Sequence, residues 1–295
     1  MSVGIDIARV RALLPARPEA GHKGTFGHVF IIGGSRGFTG AVKLACEGAQ
    51  RSGVGLVTAG VPEPLGDVMA ASLLESMSFL LPATDAETLA GTPRAVGRAL
   101  EFAAGKQAVV LGPGLSQHVE TRAFVLEFVR QCPVPLLIDA DGLNCLSTDL
   151  TPLDEASGSR VLTPHPGEMA RLMKTTTAAV QQDRERAAAT FAQAHGCVVA
   201  LKGAGTVVAD DSGAVLVNAT GNSGLASGGT GDVLSGLVGG LLAQRMASLD
   251  ATVLGVYLHG LAGDIAAEAM GERGMVAGDV VRAMPQAWRA IERGE

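Results

Sequence analysis

Aromatic side chains are scarce in this chain. Tryptophan and tyrosine occur once each, phenylalanine eight times, and the three together make 3% of 295 residues. There are four cysteines, Cys46, Cys132, Cys145 and Cys197, with no C-x-x-C pair, which fits neither a thiolate zinc site nor a disulfide framework. A reducing cytoplasm is the expected compartment. Basic residues are not in excess: 23 Lys+Arg stand against 29 Asp+Glu, a net charge of -6, so no global positive field exists to hold a nucleic-acid backbone. No apolar run reaches the roughly 20 residues that span a bilayer, since the best, Val233 to Ala243, is short and cut by Ser235, Gly236, Gly239 and Gly240. The N-terminus has arginines but no apolar stretch after them, so no secretory signal is expected. A soluble protein without membrane or nucleic-acid partners follows.

What the chain has instead is glycine, 40 in all, about twice ordinary usage. Apolar, β-branched runs at His28 to Ile32, Gly55 to Ala59, Gln107 to Leu111, Pro135 to Asp139, Arg160 to Thr163 and Val198 to Leu201 read as buried strands. Helical periodicity covers Ile5 to Leu14, Ala41 to Arg51, Ala86 to Ala103, Val119 to Gln131, Ala178 to His195, Asp232 to Ala243, Asp250 to Met270 and Gly278 to Arg293. The alternation predicts a mostly parallel α/β sheet, open or closed into a barrel. Val198 to Leu201, Thr206 to Ala209 and Ala214 to Asn218 follow one another without a helix, with Asp210-Asp211-Ser212-Gly213 as a turn; this β-meander favours the open sheet. The expected fold is a three-layer α/β/α domain with a helical C-terminal part and no linker, one domain over residues 1 to 295.

Small residues from Asn218 to Asp232 lead into V-L-S-G-L-V-G-G-L-L. In the second half, Val233, Leu234, Leu237, Val238, Leu241 and Leu242 form one apolar stripe, and Ser235, Gly236, Gly239 and Gly240 a thin face that another element can approach closely. Gly228, Gly229, Thr230 and Gly231 before it leave bare N–H groups at the positive end of the helix dipole, a site for phosphate. Asp232 in the first turn is either a cap or a base beside a phosphoryl group. The glycines favour the base, and the lack of G-K-[ST] excludes a Walker loop. Gly33 to Ala41 joins a strand to a helix, but its G-x-x-G-x-x-G spacing is not a dinucleotide fingerprint. Gly112-Pro113-Gly114, Asp139 to Asn144, Thr163 to Glu168 and Lys202 to Thr206 occupy further strand ends, each open to a plain structural reading: a turn, a cap for Asp141, a helix start at Pro166, a hairpin with a solvated Lys202.

Seven strings in order, H-K-G-T-F-G-H-V from His22, G-G-S-R-G-F-T-G-A from Gly33, L-G-P-G-L from Leu111, D-A-D-G-L-N from Asp139, T-P-H-P-G-E from Thr163, L-K-G-A-G-T from Leu201 and G-G-T-G-D from Gly228, resemble the ADP-dependent NAD(P)H-hydrate dehydratases of the ribokinase-like superfamily over nearly the whole chain. The resemblance implies repair of the S-epimer of hydrated NADH or NADPH (NADHX, NADPHX), with ADP as phosphoryl donor and Mg2+. It implies Asp232 as general base with Gly229, Thr230 and Gly231 around the transferred group. Ala41, Gly114, His165 and Asp232 would meet the hydrate, Lys202, Gly203, Ala204, Gly205, Thr206 and Gly231 the nucleotide, and Asp139 to Asn144 the pocket floor. Glu168 would organise magnesium through water. It further implies a homotetramer and, since many relatives carry an epimerase domain that this chain does not begin with, a separate epimerase. A small-molecule kinase of the same superfamily, close to hydroxyethylthiazole or pyrimidine kinases, is the competing reading, and a non-catalytic nucleotide sensor the second.

Overall fold

The computed structural model describes residues 2–295. In chain order the elements are β1 (Val3–Ile5), α1 (Ile7–Ala12), β2 (His28–Ile32), α2 (Thr39–Arg51), β3 (Leu56–Pro62), α3 (Gly66–Ser72), β4 (Met77–Leu81), α4 (Pro93–Ala104), β5 (Ala108–Leu111), α5 (Val119–Gln131), β6 (Leu136–Ile138), α6 (Asp141–Leu146) and α7 (Thr151–Asp154). Then follow β7 (Arg160–Leu162), α8 (Pro166–Leu172), α9 (Thr177–Gln182), α10 (Arg184–His195), β8 (Val198–Leu201), β9 (Thr206–Ala209), β10 (Val215–Asn218), α11 (Thr230–Ala243), α12 (Ser248–Met270) and α13 (Ala277–Arg293). All the strands join one sheet in the order β1-β10-β9-β8-β7-β6-β5-β2-β3-β4. Only β9 runs against its neighbours, β8 and β10. The open sheet with a meander in its second half is therefore as expected.

Alternation along each strand sorts the core into two layers. Val29, Ile31, Val110, Leu137 and Val161 face one side with α1, α2, α3, α11, α12 and α13. Phe30, Ile32, Val109, Leu111, Ile138 and Leu162 face the other with α4 to α10. A parallel sheet covered on both faces accounts for strands that are almost continuously apolar. Among the described residues no helix is long and apolar enough to cross a membrane. All four cysteines are buried and free.

The thin face of α11 sets the position of the site. A Cβ on Gly236 would lie 1.8 Å from the Ala45 carbonyl oxygen of α2, and one on Gly48 of α2 would lie 2.2 Å from that of Val233. The two helices approach each other backbone to backbone, as the small residues predicted, and α11 is buried from Val233 to Ala243.

Several expectations needed correction. The helix expected from Ala86 begins only at Pro93, where Thr92 accepts from Ala95 N–H and proline takes the first helical position. The preceding residues form a turn closed by the Ala83–Leu89 bridge. The helix expected over Ala178 to His195 is broken at Asp183, whose side chain caps α10. Strands β1 and β4 and helix α3 were not anticipated. The two strands are the edges of the sheet, where half-exposed sequences lose the apolar signature.

Candidate active site

The strand ends β2, β5, β6, β7 and β8 bring their loops to one edge of the sheet, beside the N-terminus of α11. Gly229 there has φ +91° and caps the helix with backbone alone. The N–H groups of Gly231 and Asp232 have no backbone acceptor among the described residues. A Cβ on Gly228 would meet nothing within 4 Å, so this end is open. Asp232 makes no capping bond, which removes its bland reading. Burial, with Asp139 and Asp141 adding like charge and Lys202 opposing them, lifts its carboxyl from 3.8 to about 7.

A cleft of about 470 Å³ opens on one side of this helix end. It is lined by Lys202 to Thr206 and by Thr230 and Gly231, residues that the family resemblance assigned to the nucleotide and the phosphoryl group, and also by the 218–226 loop and by Val256, His259 and Gly260 of α12. The 203–205 turn needs glycine at two places, with φ +147° at Gly203 and +68° at Gly205. Arg184 braces it, donating to the Ala204 and Leu201 carbonyls at 2.6 and 2.8 Å. His259 lies beneath the cradle with Nε2 2.9 Å from the Thr230 carbonyl. Burial pushes its imidazole down to about 4, so it stays neutral and donates. Neither Arg184 nor His259 was anticipated; the only sequence signal was a histidine inside the apolar run of α12.

Lys202 is not a free solvated lysine: its side chain is only 20% exposed. Its Nζ donates to Asp139 Oδ1 at 2.8 Å and lies 3.9 Å from Glu168 Oε2. A Cβ on Gly231 would lie 3.4 Å from the same nitrogen. Asp139 is 1% exposed, and its second oxygen accepts from Ser235 Oγ. Asp141 accepts from Ser116 N–H at 2.9 Å and from the Gln117 and Asn144 amides, tying two loops together, as a structural reading requires.

Ala41 and Gly114 meet each other: a Cβ on Gly114 would stand 3.1 Å from that of Ala41. Ser35 Oγ, donating to the Gly114 carbonyl at 2.8 Å, fastens the two loops. Neither residue lines the cleft. The contact of Gly229 with Leu44 places them on the α2 side of the same helix end. His165 caps α8 with its ring: Nδ1 accepts from Gly167 and Glu168 N–H, while Glu168 Oε2 accepts from His165 N–H at 2.8 Å. Burial, with Lys202 and Arg171 nearby, holds its imidazole below the ordinary range, so Nε2 carries the proton. Burial lifts Glu168 to about 7. The His22 to Gly27 string is elsewhere. It precedes β2 and packs on the far end of α11, where a Cβ on Gly27 would lie 2.0 Å from the Ala243 oxygen.

Residues 29–286 match the family described as NAD(P)H-hydrate dehydratase. Among curated proteins, the chain is 45% identical over 288 residues to the bifunctional NAD(P)H-hydrate repair enzyme Nnr of Moorella thermoacetica, covering 98% of this chain and 54% of that protein. It is 38% identical over 271 residues to the ADP-dependent (S)-NAD(P)H-hydrate dehydratase of Neisseria meningitidis, covering 91% and 87%. The chain thus spans about half the length of the bifunctional relatives it matches. Among solved structures, the ADP/ATP-dependent NAD(P)H-hydrate dehydratase of Bacillus subtilis, co-crystallized with ATP/Mg2+, superposes with a TM-score of 0.83 at 29% identity over 99% of each chain.

Proposed function

This chain belongs to the NAD(P)H-hydrate dehydratase family, and on that premise we propose that it restores NADH and NADPH from their S-configured hydrates, converting ADP to AMP and phosphate. One observation carries the proposal. Asp232, half-buried and free of any capping duty, stands at an open glycine helix start beside a cleft of nucleotide size, with its carboxyl near 7.

A base of that strength is matched to neutral pH. Asp232 takes the proton of the hydrate's ring hydroxyl, the oxygen attacks the β-phosphorus of ADP, and the bond to AMP breaks. The bare amides of Gly229, Gly231 and Asp232 and the Lys202 ammonium receive the charge on the transferred group, with Thr230, whose N–H is turned to the Ser227 carbonyl, completing the helix start. The carbon–oxygen bond then breaks with its electron pair going to phosphate, and the departing phosphate takes up the proton lost from the neighbouring ring carbon, which re-forms the ring double bond. Hydroxide leaves poorly and phosphate well, which is the reason a dehydration consumes a nucleotide. Lys202 to Thr206 line the cleft and hold the nucleotide. Ala41, Gly114 and the Nε2–H of His165 face the hydrate.

Among the described residues no group of three or more acidic, cysteine or histidine side chains is placed to hold a metal. Glu168 is committed to its capping box, so it meets a nucleotide-borne magnesium only through water. No step above is routed through the ion. The setting proposed is a cytoplasmic homotetramer, supplied with the S-epimer by an epimerase activity.

Chromatography of a reaction on a racemic hydrate mixture tests the reading. One AMP and one phosphate should appear per restored cofactor, and consumption should pause near one half, because a single chiral pocket accepts one epimer. A stable phosphorylated product would instead indicate the kinase reading.

A further inference from the structure

The buried polar cluster beneath α11 contains two residues, Asp139 and Ser235, that the reaction above does not use. We infer that they are positioning residues: through Asp139, with Ser235 behind it, the Lys202 ammonium is fixed against Gly231 so that one cation stands ready at the phosphoryl cradle. This rests on the proposed reaction.

The geometry is of a built device. Asp139 follows β6, Lys202 follows β8 and Ser235 lies on α11, so two residues 63 and 96 positions away in the chain converge on the one carboxylate. Each of its oxygens is occupied, one by Lys202 Nζ at 2.8 Å and the other by Ser235 Oγ. Asp139 is 1% exposed, and removing such a pair from water costs more than a surface ion pair returns. Stability alone is a weak reason to bury it, whereas an aimed cation at a site of developing negative charge is a strong one. The charged groups around the amine are Asp139 and Asp141 from the β6 end, Glu168 and Arg171 from α8, and Asp232 from α11; His165 is neutral. Three of these carboxylates, Asp139, Glu168 and Asp232, act on Lys202 directly. Left without Asp139, the ammonium is free to swing toward Glu168 or Asp232 and loses its fixed aim, while it stays within reach of the cradle.

The test uses Asp139→Asn, with Ser235→Ala as the milder variant should the first not fold. The protein has five lysines, and a buried, hydrogen-bonded ammonium gives a resolved proton–nitrogen signal, assigned to Lys202 by its loss in Lys202→Arg. In Asp139→Asn that signal should vanish. The kcat should fall roughly 100-fold, as for a misplaced group, while KM for ADP does not rise, since the freed lysine still attracts phosphate. Ser235→Ala should broaden the signal and lower kcat roughly tenfold, as for a lost bond to a charged group. An unchanged Lys202 signal overturns the inference, and so does a joint loss of kcat, ADP affinity and melting temperature, the mark of a merely structural role. The spectrum and ADP calorimetry need no turnover, so they decide the lock even if the wild type fails to act on hydrate.

Discussion

Replacing Asp232 by Asn should abolish turnover and at the same time make the fold more stable. The carboxyl is lifted from 3.8 to about 7, chiefly by burial, so between about pH 4 and 7 the native state binds a proton that the unfolded state has released. Wild-type stability therefore falls as pH rises through that window, and the whole deficit is present above 7. Each pH unit corresponds to about 1.4 kcal/mol, which bounds the effect near 4 kcal/mol. Partial exposure of the carboxyl reduces it to about 2 kcal/mol. Asn keeps the shape and has no charge to bury. For a chain of this length its melting temperature should exceed the wild type's by roughly 4 °C at pH 8 and by almost nothing at pH 4. Thermal melts at the two pH values, with activity in the same samples, supply the assay. An Asn variant that is less stable than wild type at pH 8, or a gap that is larger at pH 4 than at pH 8, would refute the reasoning.

Two other substitutions separate site from scaffold. Gly231→Ala puts a methyl 3.4 Å from the Lys202 amine at the cradle; the helix accepts alanine and should gain up to about 1 kcal/mol, while ADP affinity measured by calorimetry should drop at least tenfold. Arg160→Met removes a buried guanidinium that donates to the Val129 and Cys132 carbonyls at 2.9 Å and closes the end of α5; about 3 kcal/mol should be lost in urea melts, with kcat of the surviving folded protein unchanged.

The sequence carried the parts of this molecule that are local. Helix α5 was legible over its whole span because its apolar period is continuous, and α11 because its glycines announced both a close neighbour and a bare N-terminus. Asp232 stood out for the same reason, whereas the 202–206 turn drew notice only through the family resemblance. Breaks inside helical patterns were harder: Thr92-Pro93 and Asp183 are capping signals, and the apolar period runs past both. What could not be read was the pairing. Nothing in the string around Lys202 indicates that its amine is held by Asp139, or that Ser235, one of the small residues of a packing face, completes the contact. Such contacts depend on strand order, which sequence spacing does not encode.

The most direct test of the account is the absorbance at 340 nm of NADPH hydrate incubated with the protein, magnesium and either ADP, ATP or no nucleotide. Recovery of the reduced-nicotinamide band with nucleotide, its absence without, and its loss in Asp232→Asn are the expected results. No recovery from folded protein, with phosphorylation of small alcohols or thiazoles by ATP in its place, would contradict the account.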